Sequence, residues 1–237
     1  MKKKTAITVI IPTIQVRLNI LKRLLGILTE DPVVNQIILI NNKPDIPITG
    51  DMVTDKVDVI VPRENLYVNE SWNLGVSLAK NDKFLLMNDD LLVCKNFCSL
   101  VLETGILDKK STGLVGASPS SIVMCGDKKR ITVPKLKKDQ KPEISPMYSY
   151  MYTGDWGISI FGKKSSYYQI PDDLKIIYGD NYLLYKNKIN NKINYQIMNL
   201  PFHHIHSASC SAEDFTDVVG SDITNSTKYL PDEKSCN

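Results

Sequence analysis

Neither a long hydrophobic run nor a CxxC pair occurs in this sequence, and each absence excludes a class of protein. A membrane-spanning helix needs about 20 consecutive apolar residues, and no stretch reaches that length. The apolar run at residues 6–11 follows three lysines but is too short for the core of a signal peptide. The five cysteines are odd in number, which is typical of free thiols in a reducing compartment. We therefore expect a cytoplasmic protein, either free or peripheral to a membrane.

A strong charge of one sign is also missing. The formal net charge is +3, which is too small to indicate nucleic-acid binding by itself. Hydrophobic residues make up 43% of the chain, so its 237 residues can bury a large core. One large α/β domain is the expectation for this length.

Strands and helices alternate in the hydrophobic pattern of the first third of the chain. Four short apolar runs rich in β-branched residues predict buried strands, at residues 6–11, 37–40, 57–61 and 83–87. Residues 14–28 and 70–80 carry apolar side chains at helical spacing. This order predicts an open, mostly parallel sheet flanked by helices, in which ligands bind beyond the carboxyl ends of the strands.

The pattern of the second half is less regular. Residues 96–107 and 178–189 read as helices, and 113–117 and 194–198 read as strands. Two further segments are expected to be irregular: a long mobile loop at 126–146 and a flexible tail at 211–237.

The fourth predicted strand runs directly into Asn88, Asp89 and Asp90, at the edge where ligands bind. Two adjacent carboxylates are costly unless water solvates them or a cation binds them. Hard ions such as Mn²⁺ and Mg²⁺ prefer oxygen ligands and bridge to phosphates. The alternative interpretation is a plain turn that closes the strand.

All three histidines fall within four positions, at His203, His204 and His206. In a strand, His204 and His206 share one face, which suits a metal ligand with a neighbour. No cysteine lies at ligand spacing, which argues against a zinc site. The alternatives are a surface cluster that binds nothing and a histidine at a strand end that is satisfied by hydrogen bonds within the protein.

Two further carboxylates lie beside glycines in the second half. Asp180 opens a predicted helix, where it either caps the N-terminus or acts as a general base. Asp155 stands between Gly154 and Trp156, which places a carboxylate beside an indole. Sugars present both apolar faces and hydroxyl groups, so this pairing favours a sugar site, and a turn with a packing tryptophan is the alternative.

Taken in order, these segments resemble the inverting family-2 glycosyltransferases with the GT-A fold. The resemblance covers most of residues 5–210, as one domain with a nucleotide-sugar half at 1–95 and an acceptor half at 96–210. Asn88-Asp89-Asp90 occupies the place of the family's DxD-type motif, and Tyr178-Gly179-Asp180 occupies the place of its Glu-Asp pair. The other similar segments are 8–13, 63–75, 156–164 and 204–209.

The resemblance implies a metal-dependent transfer from a UDP- or GDP-sugar to a hydroxyl acceptor. Asp180 is then expected to be the catalytic base, with Asp155 in reserve, and Trp156 and Gly154 to bind the acceptor. The expected ligands of Mn²⁺ or Mg²⁺ are Asp90, His204 and His206. Donor contacts are expected from Pro12, Thr13, Asn41, Asn65, Asn73, Asn88 and Asp89.

Departures from the family pattern keep other functions open. Asn41 stands where an acidic residue is usual, and Gly179 replaces the Glu of the pair, which favours a sugar- or nucleotide-binding module without catalysis. A nucleotidyltransferase also combines an α/β sheet with metal-bound carboxylates, but usually has a glycine-rich basic loop after the first strand, which residues 12–15 lack. The lysine-rich stretch 128–141 is either a solvated loop or a contact to an anionic acceptor. It lacks interleaved aromatics, so nucleic acid is not favoured.

Overall fold

The computed structural model describes residues 6–126, 131–147, 155–205 and 215–231. Two residues of the expected site, Gly154 and His206, lie outside these ranges, as do the two ends of the predicted tail. Within the described ranges, no helix has the length and apolar character needed to cross a bilayer.

The first half of the chain builds the parallel part of the main sheet. Its elements are β1 (Ile7–Thr13), α1 (Leu18–Glu30), β2 (Val34–Asn41), β3 (Val57–Ile60), α2 (Asn69–Leu78) and β4 (Lys83–Met87). The four strands are all parallel and lie in the order β3-β2-β1-β4. The predicted order of strands and helices is therefore confirmed.

Two details differ from the sequence interpretation. Pro12 does not end the first strand, because β1 continues through Thr13 alongside β2. The pairing of β1 with β4 stops at Ile10, so the proline lies beyond it. The first helix begins at Leu18 rather than at residue 14.

The second half completes the main sheet and adds a small one. Its elements are β5 (Leu91–Val93), α3 (Phe97–Glu103), β6 (Thr112–Ala117), β7 (Ile122–Met124), β8 (Glu143–Met147), β9 (Ser159–Lys163), α4 (Gly179–Ile189), β10 (Ile193–Met198), β11 (Phe202–His204) and α5 (Thr216–Ser226). The main sheet has the order β3-β2-β1-β4-β9-β6-β10-β8, in which β9 and β8 run antiparallel to their neighbours. The small sheet has the order β5-β11-β7. Short 3-10 helices lie at Gly50–Met52, Ile106–Asp108, Pro119–Ser121, Asp155–Ile158 and Lys164–Ser166.

The main sheet is buried on both faces, as its continuous apolar strands require. Val9 and Ile11 face the core that α1 covers, whereas Ile10 faces the core that α2 covers. The helix α2 lies very close to the sheet at Gly75, where an added Cβ atom would come within 2.3 Å of the Ile10 side chain. The observed architecture is an open, mostly parallel sheet flanked by helices, as predicted.

Two segments expected to be irregular contain regular structure. Part of the predicted loop at 126–146 forms β8, which pairs antiparallel with β10 at the edge of the main sheet. Part of the predicted tail forms α5, which packs against the body of the domain through the buried side chains of Asp222 and Ser226. Because both buried side chains are polar, the hydrophobic pattern of the sequence gives no signal for this helix.

Candidate active site

The carboxyl ends of β1 and β4 bring Thr13 and Asp89 together. The Thr13 hydroxyl donates a hydrogen bond of 2.5 Å to Asp89 Oδ2. Burial raises the pKa of Asp89 to about 7, and the neighbouring charge of Asp90 adds to this, although the bond from Thr13 acts in the opposite direction. The result is a carboxyl group that changes its charge near neutral pH at the ligand-binding edge of the sheet.

Strand pairing in the small sheet brings His204 to Asp90. In the antiparallel pair β5–β11, His204 lies opposite Leu91, and the Ile205 N–H donates to the Asp90 carbonyl oxygen at 3.0 Å. His204 Nε2 lies 3.3 Å from Asp90 Oδ2, and both side chains are buried. Two residues more than a hundred positions apart in the chain therefore share one enclosed polar contact.

A second carboxylate approaches the other side of the same ring. Asp155, at the start of the 3-10 helix Asp155–Ile158, has its Oδ2 atom 3.8 Å from His204 Nδ1. Burial of the imidazole lowers the pKa of His204, but the hydrogen bond and charge of Asp90, together with Asp155, outweigh it and raise the pKa overall. This arrangement favours positive charge between the two carboxylates.

The polar atoms of this contact fit part of a divalent-cation site. Asp90 Oδ1 is enclosed by protein without a hydrogen-bond partner, and the two enclosed ring nitrogens of His204 reach only carboxylate oxygens of Asp90 and Asp155, at 3.3 and 3.8 Å. Such atoms are costly unless something binds them. Carboxylate oxygen and imidazole nitrogen are suitable ligands for Mn²⁺. Among the described residues, no group of three or more His, Cys, Asp or Glu side chains forms a complete metal site. Asp90 and His204 can therefore supply only part of a coordination shell.

Asp180 lies against the 3-10 helix that carries Asp155. It belongs to the first turn of α4, and an added Cβ atom at Gly157 would come within 2.6 Å of its Oδ2 atom. Burial raises the pKa of Asp180 to about 6, although the Asn181 N–H donates to its Oδ1 atom at 2.9 Å. Asp180 thus lies beside the segment that carries Asp155, and Asp155 lies beside the buried pair of His204 and Asp90.

Packing explains why Gly179 precedes Asp180. An added Cβ atom at Gly179 would come within 2.0 Å of Asn69 Oδ1. Asn69 is fixed there because its amide donates to the carbonyl oxygens of Leu174 and Ile177. The space that a Glu side chain needs at position 179 is filled by this buried asparagine, so the departure from the family pattern has a structural cause.

Two asparagines expected to contact the donor instead bind the protein itself. Asn41 donates to the Ile46 carbonyl oxygen and accepts from Gln15 and the Lys43 N–H. Asn73 donates to the Ile170 carbonyl oxygen and accepts from the Tyr167 hydroxyl and the Ile170 N–H. These internal hydrogen bonds hold both carboxamide groups in place, and their contact with the donor stays a prediction.

The predicted stacking of Trp156 on an acceptor is wrong. Its side chain is completely buried, and an added Cβ atom at Gly116 would come within 2.2 Å of the indole ring. The indole N–H donates to the Tyr195 carbonyl oxygen at 3.2 Å. The tryptophan packs on strand β6 and leaves no ring face for a sugar.

The remaining expected donor residues lie at the same edge of the sheet. Pro12 is buried at the end of β1, and Asn88 follows β4 with its N–H donating to the Ile158 carbonyl oxygen. Asn65 is half-buried, and its Oδ1 atom accepts from the Tyr67 N–H at 2.8 Å. Each of these residues lies at the end of a strand of the parallel half of the sheet or follows one, so all three lie at the edge that carries Thr13 and Asp89.

Sequence reasoning missed two residues that shape this edge. Asn42 joins the end of β2 to the start of α2. Its amide nitrogen donates to the Tyr67 carbonyl oxygen and the Ser71 hydroxyl, and its amide oxygen accepts from the Leu66 N–H. Asp222 of α5 accepts hydrogen bonds from three consecutive backbone N–H groups directly before α4, those of Lys175, Ile176 and Ile177. Asn42 lies just after the second predicted strand, and Asp222 stands in the segment expected to be a flexible tail.

In overall structure, the chain is similar to solved glycosyltransferases. It matches GalNAc-T7 with UDP, GalNAc and Mn²⁺ at a TM-score of 0.71 and 12% identity, over 99% of this chain and 50% of that chain. It matches residues 1–349 of S. aureus TarS, alone and with UDP, at a TM-score of 0.57 and 14% identity, over 98% of this chain and 68% of that chain. The chain thus spans half the length of the GalNAc-T7 chain.

These similarities show a shared fold. No family model matches the sequence, and no curated protein matches it. At 12–14% identity, the likeness establishes the GT-A type architecture of the chain and nothing finer.

Proposed function

We propose that the chain is a metal-dependent glycosyltransferase that moves a sugar from a nucleoside-diphosphate donor to a hydroxyl acceptor. The observation that carries the proposal is the enclosed contact between Asp90 and His204 at the carboxyl edge of a GT-A type sheet. The presence of UDP in structures of GalNAc-T7 and TarS, and of Mn²⁺ in the former, supports the donor class and the metal.

Asp90 and His204 are the residues proposed to hold the metal. Mn²⁺ or Mg²⁺, when bound, neutralises negative charge on the diphosphate leaving group. Asp155 lies beside the same imidazole, so its carboxylate keeps the ring oriented toward Asp90. The role of His206 as a further ligand belongs to the same proposal.

The donor is proposed to lie at the ends of β1 and β4. Asp89 accepts hydrogen bonds from sugar or ribose hydroxyl groups in the way that it accepts one from Thr13. Pro12, Asn65 and Asn88 line the same edge. At position 41 this edge carries an amide side chain instead of an acidic one.

Asp180 is proposed to be the base for an inverting displacement. A carboxylate whose pKa is about 6 is largely ionised at neutral pH, and it is a better base than an ordinary aspartate. It takes the proton of the acceptor hydroxyl while that oxygen forms a bond to the anomeric carbon and the diphosphate leaves. Asp155 is the alternative base, and Gly154 belongs to the proposed acceptor side.

The proposal is tested by donor turnover with a panel of UDP- and GDP-sugars, in the presence of Mn²⁺ or of a chelator. Asp90→Asn is expected to abolish metal-dependent turnover, whereas Asp139→Asn, a change at an exposed carboxylate outside the site, leaves it intact. Full activity of Asp90→Asn would remove the metal assignment. Binding of a nucleotide sugar without any turnover would identify a binding module instead.

A further inference from the structure

Four lysine-rich segments meet at the edge of the main sheet where β4, β6 and β10 begin. We call this surface the lysine edge; it consists of residues 79–83, 108–111, 163–166 and 188–193. The Lys164 N–H donates to the Asp82 carbonyl oxygen at 2.9 Å, and the Lys163 ammonium group donates to the Lys109 carbonyl oxygen at 2.9 Å. The Ile193 N–H donates to the Ser111 carbonyl oxygen at 2.8 Å. The four segments therefore form one continuous surface.

The lysine edge concentrates positive charge. It contains eight lysines and two aspartates, a formal net charge of +6, whereas the whole chain has a net charge of only +3. The rest of the molecule is accordingly negative. A strongly asymmetric distribution of this kind creates a local potential that attracts anionic partners.

Acidic side chains compensate part of this charge. Lys83 pairs with Asp108 at 2.5 Å and Lys80 pairs with Asp58 at 3.2 Å, but the exposed Lys109 and Lys110 form no ion pair within the described ranges. The ammonium group of Lys192 donates to the Ser166 hydroxyl, and its pKa is lowered by burial and by the charge of Lys163. Such crowding of like charges is unfavourable in the isolated chain.

Exposed apolar side chains accompany the lysines. Ile189 and Ile193 are 50% and 41% exposed, and Leu78, next to the first segment, is 44% exposed. Basic residues mixed with exposed aliphatic side chains are typical of surfaces that bind the headgroup region of anionic membranes. The four segments contain no arginine and no aromatic residue, which are the side chains that nucleic-acid surfaces use to read or stack on bases.

The lysine edge lies opposite the candidate active site. The strand β4 begins at Lys83 in the lysine edge and ends just before Asp89. Attachment through the lysine edge therefore leaves the carboxyl edge of the sheet open to substrates. We propose that the lysine edge docks the protein on an anionic lipid bilayer, a property that is independent of the proposed transfer reaction.

Sedimentation of the full chain with lipid vesicles tests this proposal. Binding is expected to vesicles of equal parts phosphatidylserine and phosphatidylcholine, but not to phosphatidylcholine alone, and to weaken as salt rises. The double variant Lys109→Gln/Lys110→Gln is expected to partition about 25-fold more weakly, since each lysine near an anionic surface contributes about fivefold. Ile189→Ser/Ile193→Ser is expected to remove the binding that persists at high salt.

The matched control is Lys137→Gln/Lys138→Gln, which changes the net charge equally. Both control lysines are exposed, in a segment tied to the opposite edge by the hydrogen bond from Gln140 to the Asn199 carbonyl oxygen. The control is expected to bind vesicles like the unchanged protein. Equal weakening of both double variants would show that net charge alone attracts the protein and would overturn the proposal. Failure to bind the anionic vesicles, or release from them by excess duplex DNA at equal ionic strength, would also overturn it.

Discussion

Replacing Asp222 by Asn is expected to loosen the backbone directly before the proposed base. The Asp222 carboxylate is completely buried and accepts three hydrogen bonds of 2.7, 2.7 and 2.9 Å from the N–H groups of residues 175–177. Three successive N–H groups that converge on one carboxylate form an anion-binding concavity. The chain then passes through Tyr178, at a φ of 64°, into Gly179 and Asp180. The variant therefore tests whether α5 holds this turn.

The expected loss follows from the number of bonds. Asp222 Oδ2 accepts two of the three bonds and Oδ1 accepts one, so an asparagine that keeps its single oxygen at the Oδ2 position still loses at least one bond. Hydrogen bonds to a charged group contribute about 1.5–3 kcal/mol each, so the unfolding free energy falls by at least about 1.5–3 kcal/mol. At about 2–4 °C per kcal/mol for a domain of this size, the melting temperature falls by at least about 3 °C.

Asp217→Asn is the matched control on the same helix. Asp217 is exposed in the first turn of α5, so its change removes the same charge at a cost of less than about 1 kcal/mol. Thermal melting of both variants and amide hydrogen exchange at residues 175–177 are the measurements. Faster exchange at these amides in Asp222→Asn alone is expected. Equal melting temperatures and equal exchange in the two variants would refute the reasoning.

Four further predictions concern the proposed site. The rate of transfer is expected to rise with pH through about 6 and then level off, because the ionised form of Asp180 is the active base and burial raises its pKa to about 6. A pH profile that is flat between 5 and 7, or that is unchanged in Asp180→Asn, would contradict this assignment. The raised pKa of Asp180 also affects stability, because between about pH 4 and 6 the folded protein keeps a proton on Asp180 that the unfolded chain has released. The contribution of Asp180 to the free energy of unfolding is therefore expected to fall as pH rises through this window. Gly157→Ala is expected to lower kcat at least about tenfold with little change in donor affinity, because the added Cβ atom would come within 2.6 Å of Asp180 Oδ2 and displace the carboxylate. An unchanged kcat would show that transfer does not require Asp180 in its observed position. Asn73→Ala is expected to lower the free energy of unfolding in urea by about 1–3 kcal/mol while donor affinity stays the same. Weaker donor binding without a loss of stability would instead confirm the predicted contact of Asn73 with the donor.

The parallel half of the fold could be predicted from sequence because its strands are short, continuous and β-branched. The runs that became β1 and β4 are buried on both faces, so their burial requires helices on each side of the sheet. The helix α5 could not be predicted in this way, because Asp222 and Ser226 occupy the positions where apolar residues are expected. Its packing depends on hydrogen bonds to a distant backbone segment, which leave no periodic signal.

The candidate site could be predicted only at the level of residue type. Carboxylates and histidine at the ends of strands indicated a polar site, but the pairing of β11 between β5 and β7, which brings His204 to Asp90, is a tertiary arrangement. Asn73 and Trp156 show that a residue type suited to ligand binding can instead serve the packing of the fold. An amide and an indole are suitable both for binding ligands and for joining parts of a fold, and only the neighbouring atoms distinguish the two uses.

The position of β11 in the small sheet has a consequence for the order in which the molecule is made. Its two neighbours in that sheet both precede it in the chain, and β11 must enter between them after they have been synthesised. The first part of the chain, which is proposed to hold the nucleotide, can therefore begin to fold during translation while the proposed site beside Asp90 still lacks its imidazole. A nascent chain stalled before residue 200 should bind a nucleotide more readily than it binds a cation.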